Sequence, residues 1–168
     1  MMPFQRDLAE NSFRLLSRHH DLIENTTALR GKDIYMKIAI IAHDAKKELM
    51  VQFCSAYCGI LSKHTLIATN TTGKQVSEAT GLPIKRYLSG QGGAEQILAL
   101  LSCNEVDVLL FFRDPINPKA ADVHGMNLLR LCDVHNVPVA TNIATAEALI
   151  LALERGDLDW REVGNPSI

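Results

Sequence analysis

Five short polar segments in this chain each follow an apolar run, and together they hold most of its chemically able side chains. They are His43-Asp44 with Lys46-Lys47, Asn70-Thr71-Thr72-Gly73, Ser89-Gly90-Gln91-Gly92-Gly93, Arg113-Asp114-Pro115 and Asn142 to Thr145. Hydroxyls and glycines at the start of a helix suit a phosphate, because a helix N-terminus presents unpaired N–H donors and a partial positive charge. Segments 70–73 and 89–93 both offer that combination. Each segment alone also has a plainer reading. Thr71 and Thr72 suit helix N-caps, the Ser-Gly segment suits a turn that uses glycine for positive φ, His43-Asp44 can simply start a helix, and Lys47 can be a solvated charge. Their arrival at one edge of one sheet favours a ligand site over these separate accounts.

The elements that bring them to one edge are legible in the hydrophobic pattern. From Met36 onward, short runs rich in β-branched residues alternate with helical segments, which is the pattern of βαβ units and a parallel sheet. Strands are expected at Lys37–Ala42, Thr65–Thr69, Ile84–Leu88, Val106–Phe112 and Val137–Thr141. Helices are expected near Lys46–Tyr57, Gly73–Thr80, Glu95–Cys103, Met126–His135 and Thr145–Glu154. The continuous apolar runs Ile38-Ala39-Ile40-Ile41 and Val108-Leu109-Leu110-Phe111-Phe112 suit central strands covered on both faces. In an open parallel sheet, ligands gather at the carboxyl ends of the strands, where all five polar segments fall.

The 168 residues, 47% apolar and 21% charged, suit one well-cored domain, and a formal charge of −2 without Lys/Arg runs gives no footprint for nucleic acid or an anionic membrane. No apolar stretch approaches the roughly 20 residues that span a bilayer, and the N-terminus has no apolar signal-peptide core. A cytoplasmic protein is expected. Residues 1–35 read as an N-terminal helical extension, with an uneven stripe of Leu8, Phe13, Leu16, Ile23 and Leu29, and 36–168 as the main domain. Cys54, Cys58, Cys103 and Cys132 lack the paired spacing of a zinc site and read as buried thiols, so no metal is expected.

Taken in order, Ile41-Ala42-His43-Asp44 with Lys47, Ala68-Thr69-Asn70-Thr71-Thr72-Gly73, Ala79-Thr80-Gly81, Leu88-Ser89-Gly90, Asp107 to Asp114-Pro115, and Leu128-Leu129-Arg130-Leu131 through Asn142 resemble the methylglyoxal synthase family. The resemblance runs from about Met36 to Ile150. It implies a three-layer α/β/α domain with a five-stranded, mainly parallel sheet, usually a homohexamer. Such a domain acts as a lyase converting dihydroxyacetone phosphate to methylglyoxal and inorganic phosphate without metal or organic cofactor. It further implies that Lys47, Thr69, Thr71, Thr72, Ser89 and Gly90 hold the phosphate, with Asn70 in the same motif. His43 and Asp44 then face the substrate, and Asp114 lies beside the reacting carbons.

Three departures stand out. The family follows its Ser-Gly pair with Pro, a variable residue and Gly-Gly-Asp-Gln-Gln, that Asp being the catalytic base; here the loop is one residue shorter and the base position reads Ala94, followed by Glu95. Beyond Asp-Pro the family has a His and then an Asp, at positions that read Ala121 and His124 here. Asn70 replaces a Gly, with a side chain that either crowds the phosphate or accepts the same left-handed backbone. Glu95 is the substitute base this suggests, and His124, with Asp122 as partner, the substitute imidazole. The alternative is a catalytically impaired regulatory or sensor module of the same fold, of the kind found in large carbamoyl-phosphate synthetases. A cyclohydrolase half is a weaker third reading. The tail after Asp157, with Trp160 and Arg161, carries little core pattern and is expected to reach a neighbouring subunit.

Overall fold

The computed structural model describes residues 35–117 and 123–161. The expected N-terminal extension, apart from Tyr35, and Ala121 and Asp122 lie outside them. A compact unit spans Tyr35–Arg155, and Gly156 onward belongs to a second unit. Within the first, strands β1 (Lys37–Ala42), β2 (Thr65–Thr69), β3 (Ile84–Tyr87), β4 (Val108–Phe112) and β5 (Val139–Ala140) form one sheet in the order β3-β2-β1-β4-β5. Every pairing in it is parallel. The helices are α1 (Lys47–Ala56), preceded by a 3-10 turn at Asp44–Lys46, the short α2 (Cys58–Leu61), α3 (Asn70–Thr80), α4 (Gly90–Ser102), α5 (Val123–His135) and α6 (Ile143–Arg155).

Strand alternation divides the core in two. Ala39, Ile41, Ile67, Leu109 and Phe111 pack with Ile97 and Leu101 of α4 and Leu128 and Cys132 of α5. Their neighbours in sequence point to the opposite face, where the Phe112 ring lies 5.7 Å from that of Phe53 on α1. Both faces of β4 are therefore covered, all five of its residues are buried, and its unbroken apolar run follows. Each such large side chain taken from water contributes roughly 1.5–3 kcal/mol.

The strand order reverses between β1 and β4, whose neighbours run outward in opposite directions. Such a switch point opens a crevice at the carboxyl ends of the two strands. Four helices begin earlier than the hydrophobic pattern suggests: α5 at Val123, α6 at Ile143 and, at the switch-point edge, α3 and α4. α3 starts at Asn70 and α4 at Gly90, because Thr69 and Ser89 are extended N-caps (ψ 152° and 154°) from which the chain passes directly into a helix. Gln91, Gly92 and Gly93 thus lie in the first turn of a helix entered through Gly90, whose φ of 62° is the positive value expected of the Ser-Gly turn, and Asn70 is helical; the left-handed backbone considered for Asn70 occurs instead at Asn104 and Asn136.

Other expectations are corrected as well. Cys54 and Cys132 are buried, but Cys58 is only half-buried and Cys103 is exposed where α4 ends. Burial pushes the Cys54 thiol up to about 12, which leaves it an inert core group. In the second unit Leu158 and Arg161 are buried, and the Arg161 guanidinium lies 5.6 Å from the centre of the Trp160 ring. The tail thus carries buried positions that its pattern did not show. No helix among the described residues is long and apolar enough to cross a membrane.

Candidate active site

A cavity of about 760 Å³ opens at the switch point, lined from β1 and the turn after it by Ile41, His43, Asp44 and Lys47, and from the end of β4 by Phe111, Arg113 and Asp114. Ile41, His43, Thr69, Phe111 and Arg113 are all odd-numbered, so strand alternation sends them to the side covered by α4 and α5. The first turns of those helices close the cavity with Gly90, Gln91 and Ala94 from α4 and His124, Gly125 and Leu128 from α5.

The two phosphate-suited segments meet at its rim. Thr69 and Ser89 are N-caps whose side chains make no capping hydrogen bond, so the helices leave their terminal donors uncapped by these hydroxyls. The Thr71 and Ser89 hydroxyls instead lie 3.3 Å apart, bridging the starts of α3 and α4. Asn70 N–H donates to the Leu88 carbonyl at 3.3 Å, which ties the two junctions together. Thr72, next to the cavity-lining Thr71, is 1% exposed, and its Oγ1 has no hydrogen-bond partner among the described residues. A buried hydroxyl left without a partner costs about 1–3 kcal/mol, a cost that an oxyanion acceptor reaching it would relieve. Lys47 Nζ, on the first turn of α1, pairs with the Asp44 carboxylate.

Opposite this rim, the Asp114 N–H donates to His43 Nδ1 at 2.9 Å, and the His43 ring stands edge-on to Phe111 with 5.2 Å between centres. An Nδ1 that accepts a hydrogen bond places the proton of the neutral imidazole on Nε2, so His43 serves as a donor. The Asp114 carboxylate accepts N–H bonds from Ile116 at 3.0 Å and Asn117 at 3.4 Å. The Ile116 amide above all, with Asn117 and Lys46 adding to it against partial desolvation, holds the Asp114 carboxyl below the usual carboxylate range.

Of the residues singled out from sequence, His43, Asp44, Lys47, Thr69, Thr71, Gly90, Asp114 and His124 line the cavity. Asn70, Thr72, Ser89 and Glu95 do not, although Ser89 bonds to the lining Thr71. Glu95 follows Ala94 off the lining face of α4, and its Oε1 stands 3.7 Å from His124 Nε2 on α5. No group of three or more His, Cys, Asp or Glu that could hold a metal occurs among the described residues.

A family model described as the MGS-like domain matches residues 50–141. The methylglyoxal synthase of Caldicellulosiruptor saccharolyticus is 60% identical over 136 residues, which cover 79% of this chain and 95% of that protein. The chain belongs to the methylglyoxal synthase family. The methylglyoxal synthase of Oceanobacillus iheyensis is 54% identical over 129 residues, covering 76% of this chain and 92% of the relative. Among solved structures, a methylglyoxal synthase from Elizabethkingia anophelis superposes with a TM-score of 0.62 at 37% identity, covering 69% of this chain and 77% of that one.

Within this methylglyoxal synthase fold, sequence reasoning missed two residues. Arg113, whose place in a strand-end segment implies no role by itself, lines the cavity, with its guanidinium 5.9 Å from the centre of the Phe111 ring. Its signal was the alternation that continues from Leu109 and Phe111. Gln96 accepts the Leu88 N–H through Oε1 at 2.8 Å and so braces the turn into Ser89. Nothing in a lone Gln on a helix announces that bond.

Proposed function

We propose that this chain is a lyase that converts dihydroxyacetone phosphate to methylglyoxal and inorganic phosphate. The observation that carries this reading is the convergence of two helix starts, with uncapped N-terminal donors and touching hydroxyls, on a cavity that also holds a lysine and a donor imidazole. The reaction needs a proton removed from the hydroxymethyl carbon, a donor for the oxygen that becomes an enediolate, and a clamp for the departing phosphate. Lys47, the hydroxyls of Thr71, Thr72 and Ser89, and the amides opening α3 and α4 supply the clamp. Thr69 and Gly90 shape its floor.

His43 Nε2–H is suited to the enediolate oxygen. A neutral imidazole is apt for this role, since it polarises a carbonyl without surrendering its proton. The Asp114 N–H on Nδ1 keeps that tautomer. Asp44 positions Lys47 through their ion pair, and Asp114, engaged by two backbone amides, orders the loop beside the reacting carbons. Once the enediolate forms, its electrons expel phosphate across the C–O bond. The resulting enol-aldehyde tautomerises to methylglyoxal.

The test is methylglyoxal and phosphate release from dihydroxyacetone phosphate by the purified protein, expected in equal amounts with no added metal or cofactor. Binding of inorganic phosphate without turnover would instead mark a sensor that keeps the clamp and has lost the chemistry. We further place the protein in the cytoplasm as a homohexamer, following the family. Sedimentation at micromolar concentration should give a mass several times that of one chain, and a monomeric mass would remove the hexamer.

A further inference from the structure

Ala94, which lines the cavity, carries no group able to accept a proton, yet the reaction just proposed requires one. We propose that His124 is the general base and Glu95 its positioning residue, a proton-relay pair formed between the first turns of α5 and α4. This rests on the proposed lyase reaction and says which groups move its first proton.

The geometry assigns the roles. His124 lines the cavity beside Gly125 and Leu128 and is about three-quarters buried, whereas Glu95 is off the lining face with 62% of its side chain exposed. Glu95 Oε1 faces His124 Nε2 at 3.7 Å, within ion-pair range and slightly beyond a hydrogen bond. Pairs of this kind tighten when substrate arrives. A carboxylate beside Nε2 holds the ring proton there and leaves Nδ1 with a lone pair, which makes Nδ1 the accepting atom. The carboxylate also stabilises the imidazolium that results. In the step itself, the C–H bond of the hydroxymethyl carbon breaks, its proton passes to His124 Nδ1, and its electron pair becomes the enediolate double bond. The imidazolium returns the proton when the enol becomes the methyl group of methylglyoxal. The balance needs no other reactant.

Glu95 is the sixth residue of α4, so the helix dipole does not account for an acid there; that effect fades beyond the first turn. Among the described residues, the other titratable groups lining the cavity are His43 and Asp44 after β1, Lys47 on α1, and Arg113 and Asp114 after β4.

The experiment measures kcat and KM separately for dihydroxyacetone phosphate in the wild type, His124→Gln and Glu95→Gln, with inorganic phosphate binding measured on each. His124→Gln should lose about 100-fold in kcat/KM, the lower end of what a general base contributes, while binding phosphate as the wild type does. Glu95→Gln, at an exposed position, tests the pair without burdening the fold. Without the charge that orients the ring and stabilises the imidazolium, kcat should fall while KM stays near the wild-type value. Activity of His124→Gln within about threefold of wild type, or a Glu95→Gln loss that falls on KM and not on kcat, would overturn the relay and leave the lyase reading intact. A wild-type protein that makes no methylglyoxal would overturn both.

Discussion

Replacing Gly93 by Ala should lower the melting temperature by about 6–12 °C and weaken inorganic phosphate binding at least tenfold. A Cβ built at Gly93 falls 1.8 Å from the Leu88 carbonyl oxygen, 2.8 Å from its carbon and 3.0 Å from Thr69 Cγ2. Two of those atoms are backbone, so no rotamer change relieves the contact. The first turn of α4 must instead move off the β2–β3 edge. Overpacking on this scale costs about 3 kcal/mol, and in a chain of this size 1 kcal/mol corresponds to about 2–4 °C. The displacement also reaches the site. Leu88 O accepts the Asn70 N–H that ties α3 to this junction, and Thr71 and Ser89 face each other across it. Gly59→Ala is the control, since nothing among the described residues lies within 4 Å of the added methyl. Equal melting temperatures and equal phosphate affinity for the two variants would show that the close approach at Gly93 does not govern this edge.

Replacing Lys47 by Met should lower kcat/KM for dihydroxyacetone phosphate by about 10²–10³, the range seen when one donor to a developing anion is removed. The substrate carries a phosphate, and the charge gathered on it grows as the C–O bond breaks. A fixed ammonium therefore stabilises the transition state more than the bound substrate. The hydroxyls and helix amides remain in the variant, so binding should weaken without vanishing. Stability should change little. The pair that Lys47 makes is with Asp44, whose side chain is 81% exposed, and such exposed pairs contribute only about 0–1 kcal/mol. The Met side chain keeps the aliphatic stem against its neighbours. Turnover within a few-fold of wild type, alongside unchanged phosphate affinity, would exclude Lys47 from the clamp.

Both predictions rest on features that differ in how far they could be read in advance. The Lys47 position was legible because a basic residue shortly after an apolar β-branched run falls where a strand ends and a helix begins. Thr69, Thr71 and Ser89 were legible for the same reason. The hydroxyls and glycines lie at two further strand-to-helix junctions, and a parallel sheet carries all such junctions to one edge. The constraint at Gly93 was not legible, because its cause is a carbonyl on the preceding turn whose approach depends on how closely α4 packs against the sheet. Nor was the start of α4 at Gly90. Glycines at 90, 92 and 93 lower helix propensity enough to read as a loop, and tertiary packing together with the brace from Gln96 to Leu88 prevails over that local preference.

By itself, then, the amino-acid sequence determined the strands, their parallel sense, the layered α/β architecture and the edge at which chemistry gathers, because these follow from periodicities of two and 3.6 residues and from short-range turn chemistry. It also determined the family, through motifs kept in order. Only the tertiary structure decided which side chains of that edge share one cavity: that Arg113 lines it, that Glu95 turns from it toward His124, and that His43 is held as a donor by the Asp114 amide. Glu95 and His124 sit on different helices, and His43 and Asp114 are 71 residues apart in sequence. Their meeting is set by how helices pack on a twisted sheet, and a spacing along the chain does not encode that distance.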